Sequence, residues 1–130
     1  KLYSKLIGCG FFHQEFPLYT GSGEHVRSFT YVEDIIDGVV SVIGKEEEVR
    51  GEVFNLGTEH EHTTAEGIEI VEDILNTKII KKDTPKRQGE QLLTKANIAK
   101  ARRVLGYNPK TTLKEGLQKQ IDWYRKEFVE

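Results

Sequence analysis

Glu52-Val53-Phe54-Asn55-Leu56-Gly57 is the stretch on which the fold turns. Its apolar residues run without strict alternation, which fits a strand covered on both faces, as in a parallel sheet. The segments on either side read as parts of the same layered arrangement. Upstream, Glu33, Asp34 and Asp37 sit in the first turns of a predicted helix, where carboxylates suit the positive dipole end. The expected core face of that helix is Ile35, Ile36, Val39, Val40 and Ile43. Before it, residues 25–32 alternate as an extended strand. Arg27, Phe29 and Tyr31 share one face, and Val26, Ser28, Thr30 and Val32 share the other. Downstream, Thr63-Thr64-Ala65-Glu66 has capping-box spacing and opens a helix with Ile68, Val71, Ile74 and Leu75 inward.

The outer segments follow the same logic. Leu2, Tyr3, Leu6 and Ile7 recur at helical spacing, and Gly8 and Gly10 are expected to stop that helix. Phe16-Pro17-Leu18-Tyr19 is a short apolar run whose proline keeps it from being a central strand. Thr20-Gly21-Ser22-Gly23 is a turn, with no helix behind it to make a phosphate loop. Lys78-Ile79-Ile80-Lys81-Lys82 reads as an edge strand, its lysines wanting water. A helix is predicted from Thr94, with Ile98, Ala101, Val104 and Leu105 inward and Gly106 past its end. Thr112 and Glu115 form a second capping box. It opens a last helix whose apolar stripe is Leu117, Ile121, Tyr124 and Phe128.

Four helices and a few short strands make an α/β unit within one domain over residues 1–130, but no self-sufficient sheet. The Val53–Leu56 strand expects neighbours, and self-association through an exposed apolar surface follows as an expectation. The chain has no methionine and opens on Lys1, which reads as a piece of a longer protein.

Composition narrows the class. Of 130 residues, 37% are hydrophobic and 31% charged, a balance that excludes a disordered chain. No apolar run reaches the ~18 residues of a membrane span. Cys9 is the single cysteine, so an internal disulfide is excluded and a reducing, cytoplasmic setting is expected. The net charge of −2 hides an asymmetry: residues 78–110 carry ten Lys/Arg against Asp83 and Glu90, or +8, leaving −10 elsewhere. A basic third of this kind either binds an anion or is a solvated face.

The chemistry-bearing residues are few. His60 and His62 alternate with Glu59 and Glu61 in a strand-to-helix loop; solvated polarity is favoured over a metal site. Cys9 reads as packing at a helix end rather than a nucleophile. No glycine-rich dinucleotide fingerprint follows a strand, and no tyrosine is followed four residues later by lysine. Arg27, on a strand after a glycine turn, and Arg87, in a loop with Lys86, Gly89 and Glu90, remain. Both are suited to bidentate contact with phosphate oxygens, and a carboxylate such as Glu90 can accept from ribose hydroxyls. The competing readings are a surface ion pair for Arg27 and a solvated loop for Arg87.

Five motifs stand in order: Leu18-Tyr19-Thr20-Gly21-Ser22-Gly23; Val26-Arg27-Ser28-Phe29-Thr30-Tyr31-Val32-Glu33-Asp34; Val53-Phe54-Asn55-Leu56-Gly57; Pro85-Lys86-Arg87-Gln88-Gly89-Glu90; and Ala101-Arg102-Arg103-Val104-Leu105-Gly106-Tyr107-Asn108-Pro109. Together they resemble the C-terminal part of the NAD-dependent epimerase/dehydratase family, extended short-chain dehydrogenase/reductases that act on nucleotide sugars. The form of residues 87–90 is most like the UDP-glucose 4-epimerase branch. The resemblance implies a substrate-binding portion, with Arg27 and Arg87 on the diphosphate, Glu90 on the ribose, and Leu18 and Tyr19 along the base. It implies that NAD and the catalytic tyrosine and lysine belong to an N-terminal Rossmann domain absent from this chain. The 130 residues alone are then inactive, and Val53–Leu56 resembles a strand that joins that domain's sheet. In the intact enzyme NAD would oxidise the sugar at C4 and return hydride to the other face. A UDP-sugar substrate and a homo-oligomer are the partners implied. A dehydratase or decarboxylase of the same family, and a non-catalytic nucleotide- or nucleic-acid-binding module, are the alternatives.

Overall fold

Two threonines set the frame. Thr63 and Thr112 each accept the backbone N–H of the glutamate three residues on, while Glu66 and Glu115 accept the threonine N–H in return. Both capping boxes fix a helix start from purely local chemistry. They open α4 (Thr64–Leu75) and α6 (Leu113–Phe128) in the computed structural model, which describes residues 2–86 and 88–130.

Around them lie α1 (Leu2–Phe11), β1 (Phe16–Tyr19), a 3-10 turn (Ser22–Glu24), β2 (Val26–Arg27), α2 (Val32–Val40), α3 (Glu46–Val49), β3 (His62–Thr63), β4 (Lys81–Thr84), β5 (Leu93–Thr94) and α5 (Ala99–Leu105). β1 pairs with β4 in parallel, Phe16 opposite Lys81. β2 lies between antiparallel β3 and parallel β5, with Val26 opposite both Thr63 and Leu93. These sheets are small, and helices dominate. No helix of the described residues is long and apolar enough to cross a membrane.

The main core joins α1, α4 and α6. Leu6, Ile7, Ile68, Val71, Leu117 and Ile121 are almost fully buried there. Contrary to expectation, α1 runs straight through Gly8 and Gly10. The glycines serve packing, not termination. A Cβ on Gly10 would lie 2.4 Å from Leu75 Cδ1, and one on Gly8 would lie 2.8 Å from the Tyr124 hydroxyl. Any larger residue there would have to displace the Leu75 or Tyr124 side chain.

A second cluster joins Ile98, Ala101, Leu105 and Tyr107 with Phe54 and Leu56. α5 starts at Ala99 rather than Thr94, because Leu93 and Thr94 are held in β5 beside β2 and the Asn97 side chain accepts the Ala99 N–H (3.1 Å). Gly106 ends it at φ 71°, a left-handed cap open to glycine at little cost. β4 begins three residues later than the expected edge strand. The Ile79 N–H is taken by the buried Glu72 carboxylate (3.1 Å), so Lys78–Ile80 is tied to the end of α4 before pairing starts.

Residues 52–57 form no ladder among the described residues. Phe54 and Leu56 pack on the second cluster, whereas Val53 is 80% exposed, so one face is covered and the other is not. Instead of strand neighbours, the segment is held by the Tyr107 hydroxyl donating to the Gly57 carbonyl (2.9 Å) and Lys100 donating to that of Val53 (2.9 Å). Burial first, then the nearby Asp34 carboxylate, pushes the Tyr107 phenol above its ordinary pKa, and the bond to Gly57 partly offsets this.

The largest departure is α2. Of the apolar stripe expected to face inward, Ile36, Val39, Val40 and Ile43 are exposed and Ile35 is half-buried, and Val32 is exposed as well. The buried positions are Asp34 and Gly38, on the opposite side of the helix. Gly38 abuts Leu56 and Tyr107 with no room for a Cβ. Asp34 accepts the N–H groups of Lys110 and Thr111, both at 3.1 Å, and so satisfies two donors of the turn before α6. The helix is polar inward and apolar outward.

Candidate functional site

Two neighbouring strands and a loop some 60 residues further on meet at one concavity. β1 brings Leu18 and Tyr19, β2 brings Arg27, and the loop before β5 brings Glu90; with Phe16, Pro17 and Phe29 they line a cavity of about 410 Å³. The sheet registers explain the meeting. β1 is fixed by β4, whose chain runs directly into the 85–92 loop, and β2 clamps the far end of that loop through β5, with the Val26 N–H donating to Leu92 (2.8 Å).

Arg27 uses its guanidinium on the loop. Nη2 donates to the Gln91 carbonyl and Nη1 to that of Val26 (2.8 Å). A guanidinium has five N–H donors, so donors remain for a ligand. Lys5 of α1 also lines the cavity, giving it, among the described residues, two cations against the one carboxylate of Glu90. Phe29, on the same face as Arg27, stacks edge-on with Tyr3 at 4.6 Å and ties the cavity wall to the core. Burial, with Glu66 adding, pushes the Tyr3 phenol well above its usual range, so it stays neutral.

Leu18, Tyr19, Arg27 and Glu90 are thus brought together. The remaining expected diphosphate ligand, Arg87, lies outside the described residues. His25, Ser22, Lys5 and Thr64 also line the cavity and were not singled out from sequence. For His25 a signal existed: it precedes Arg27 by two residues, so an extended chain puts both on one face.

The other candidates have ordinary occupations. Glu59 pairs with Arg102 (2.8 Å) and Glu61 with Lys95 (2.8 Å). Among the described residues no group of three His, Cys, Asp or Glu side chains could hold a metal. Cys9 is buried, its thiol donating to the Glu15 carbonyl (3.6 Å). The basic stretch is largely neutralised at close range: Lys78 and Lys81 by Glu72, Lys82 by Glu15, and Lys100 by Glu52, besides Lys95 and Arg102.

The family model of GDP-mannose 4,6 dehydratase matches residues 11–120. The chain belongs to this family of NAD-dependent epimerases and dehydratases. It is similar to the uncharacterized UDP-glucose epimerase YtcB of Bacillus subtilis, 36% identical over 101 residues, covering 78% of this chain and 32% of that protein. It is also similar to UDP-glucuronic acid decarboxylase 1 of Danio rerio, 32% identical over 108 residues, covering 83% and 25% respectively. Among solved structures, UDP-glucuronic acid 4-epimerase from Bacillus cereus, in complex with UDP-glucuronic acid and NAD, superposes with a TM-score of 0.90. The two are 27% identical, over 98% of this chain and 40% of that one. The architecture is that of part of an extended short-chain dehydrogenase/reductase. The chain spans between a quarter and a third of the length of these two curated relatives.

Proposed function

We propose that this chain is the substrate-gripping portion of a cytoplasmic nucleotide-sugar epimerase, with a UDP-sugar as its ligand. The observation that carries the proposal is the convergence of Leu18, Tyr19, Arg27 and Glu90 on one cavity from three separate segments. In this reading Arg27, joined by Arg87, holds the diphosphate; Glu90 accepts from the ribose hydroxyls; Leu18 and Tyr19 lie along the base. The role of the grip is orientation: a fixed diphosphate sets where the sugar ring sits.

The chain has neither a glycine-rich dinucleotide loop nor a tyrosine–lysine pair at four-residue spacing. Its residues do not fit NAD, and no redox step is assigned to them. The reading places that chemistry in a nucleotide-binding half packed on the apolar face of α2 and on Val53, which in this chain alone takes a second copy. The relatives include an epimerase and a decarboxylase, so epimerisation is the finer part of the proposal and the nucleotide grip the coarser.

Calorimetric titration with UDP tests the grip. Saturable binding, displaced by UDP-glucose and little changed between 50 and ~200 mM salt, is the expected result. Binding to single-stranded nucleic acid with a steep salt slope, and none to UDP, would instead favour the nucleic-acid module.

A further inference from the structure

His25 has no part in the roles drawn from the family motifs, yet it is more deeply buried than Leu18, Tyr19, Arg27 or Glu90. Its side chain is 6% exposed, and its Nδ1 faces Glu90 Oε2 at 3.6 Å. That carboxylate oxygen is itself buried and makes no hydrogen bond. A buried, unsatisfied carboxylate oxygen is unfavourable, and the imidazole is the donor at hand.

The two partners differ in freedom. His25 is pinned by its backbone: its N–H donates to Ser22 (3.1 Å), and its carbonyl accepts from the Thr64 N–H (3.0 Å) at the start of α4. Glu90 sits in a loop fixed on its far side by β5. Two residues on from His25, which directly precedes β2, Arg27 holds the Gln91 carbonyl. Of two successive loop residues, Gln91 is therefore held by Arg27 and Glu90 is faced by His25. A shift of less than 1 Å in Glu90 would turn the 3.6 Å approach into a charge-assisted hydrogen bond.

We infer that His25 is a positioning residue, which sets the Glu90 carboxylate, and with it residues 88–92, against the cavity so that the carboxylate is presented to the ligand's vicinal hydroxyls. This rests on the nucleotide-grip reading and adds to it the residue that aims the carboxylate. Glu90 touches ligand; His25 acts through Glu90.

The test is a double-mutant cycle on the 130-residue chain, using UDP as the probe. His25→Leu should weaken UDP binding about tenfold. His25→Asn, whose side-chain amide nitrogen is bonded to Cγ as Nδ1 is and so keeps an N–H donor of the same reach, should restore affinity to within about threefold of the unsubstituted chain. In a Glu90→Gln background, His25→Leu should change affinity by less than about twofold, because the group it acts through has lost its charge. Effects that multiply independently, or equal weakening by His25→Leu and His25→Asn, would overturn the inference. Should His25→Leu not fold, His25→Ala, which carries no side-chain donor, takes its place in the cycle. A ligand-free readout separates this claim from the nucleotide reading. Backbone order parameters of residues 88–92 should fall from about 0.85 towards 0.6 in His25→Leu and no further in the double variant. If UDP does not bind at all, the nucleotide reading fails. The order parameters still decide whether His25 holds Glu90, and unchanged values would overturn it.

Discussion

The chain is expected to self-associate through the outer face of α2, and Val39→Lys with Ile43→Lys is expected to make it monomeric. Val39 is 56% exposed, Ile43 74% and Val53 80%. Val39 and Ile43, with Val32, Ile36 and Val40, form one stripe along the helix and the turn after it. A stripe of this length presents apolar surface of several hundred Å², at the upper end of what monomers leave uncovered. Covering one half-exposed Val or Ile contributes roughly 1 kcal/mol at about 25 cal/mol per Å². Burying an uncompensated lysine in its place removes that gain and adds a desolvation cost. The double substitution should therefore weaken association by more than about thirtyfold. It should leave the fold intact, because the inward side of α2 is Asp34 and Gly38. Sedimentation measures this directly. A monomer at high concentration without any substitution would contradict the expectation, as would association indifferent to the two lysines.

Replacing Arg27 by alanine is expected to weaken UDP binding roughly tenfold to a hundredfold. A charge-assisted hydrogen bond contributes about 1.5–3 kcal/mol, and about 1.4 kcal/mol is a factor of ten in affinity. Arg27→Lys should fall between, since it keeps the charge and loses the planar fork that matches a phosphate. The guanidinium also holds the Gln91 carbonyl, so some stability is lost as well. The strand pairs on either side of Val26 and Arg27 remain, and the unfolding midpoint should drop by only about 5 °C or less. Calorimetry and thermal unfolding of the same samples separate the two effects. Equal affinity in all three proteins would remove Arg27 from the site.

What could be read in advance followed the range of the interactions involved. The capping boxes at Thr63 and Thr112 involve residues three apart, and both helix starts stand where the spacing puts them. Gly106 ends α5 for an equally local reason. α2 shows the limit of pattern. Periodicity correctly finds an apolar stripe, but it carries no information on which layer the stripe faces, and here Asp34 turns inward because distant backbone donors at Lys110 and Thr111 need an acceptor. Gly8 and Gly10 mislead for a related reason. A glycine that ends a helix and one that admits a close neighbour look alike until Leu75 and Tyr124 are in place. At the cavity, Arg27 stands out through its motif. His25 does not, because its significance depends on a loop carboxylate 65 residues away.

The central claim is that the cavity bounded by β1, β2 and the loop before β5 receives the nucleotide. Mapping backbone amide shifts during a UDP titration tests it most directly. The account predicts saturable shifts concentrated at residues 16–19, 22–29 and 88–92, with α2 and the outer face of α6 unmoved. Shifts clustered on the α2 stripe or along the basic residues of α5, or none at millimolar UDP, would contradict it.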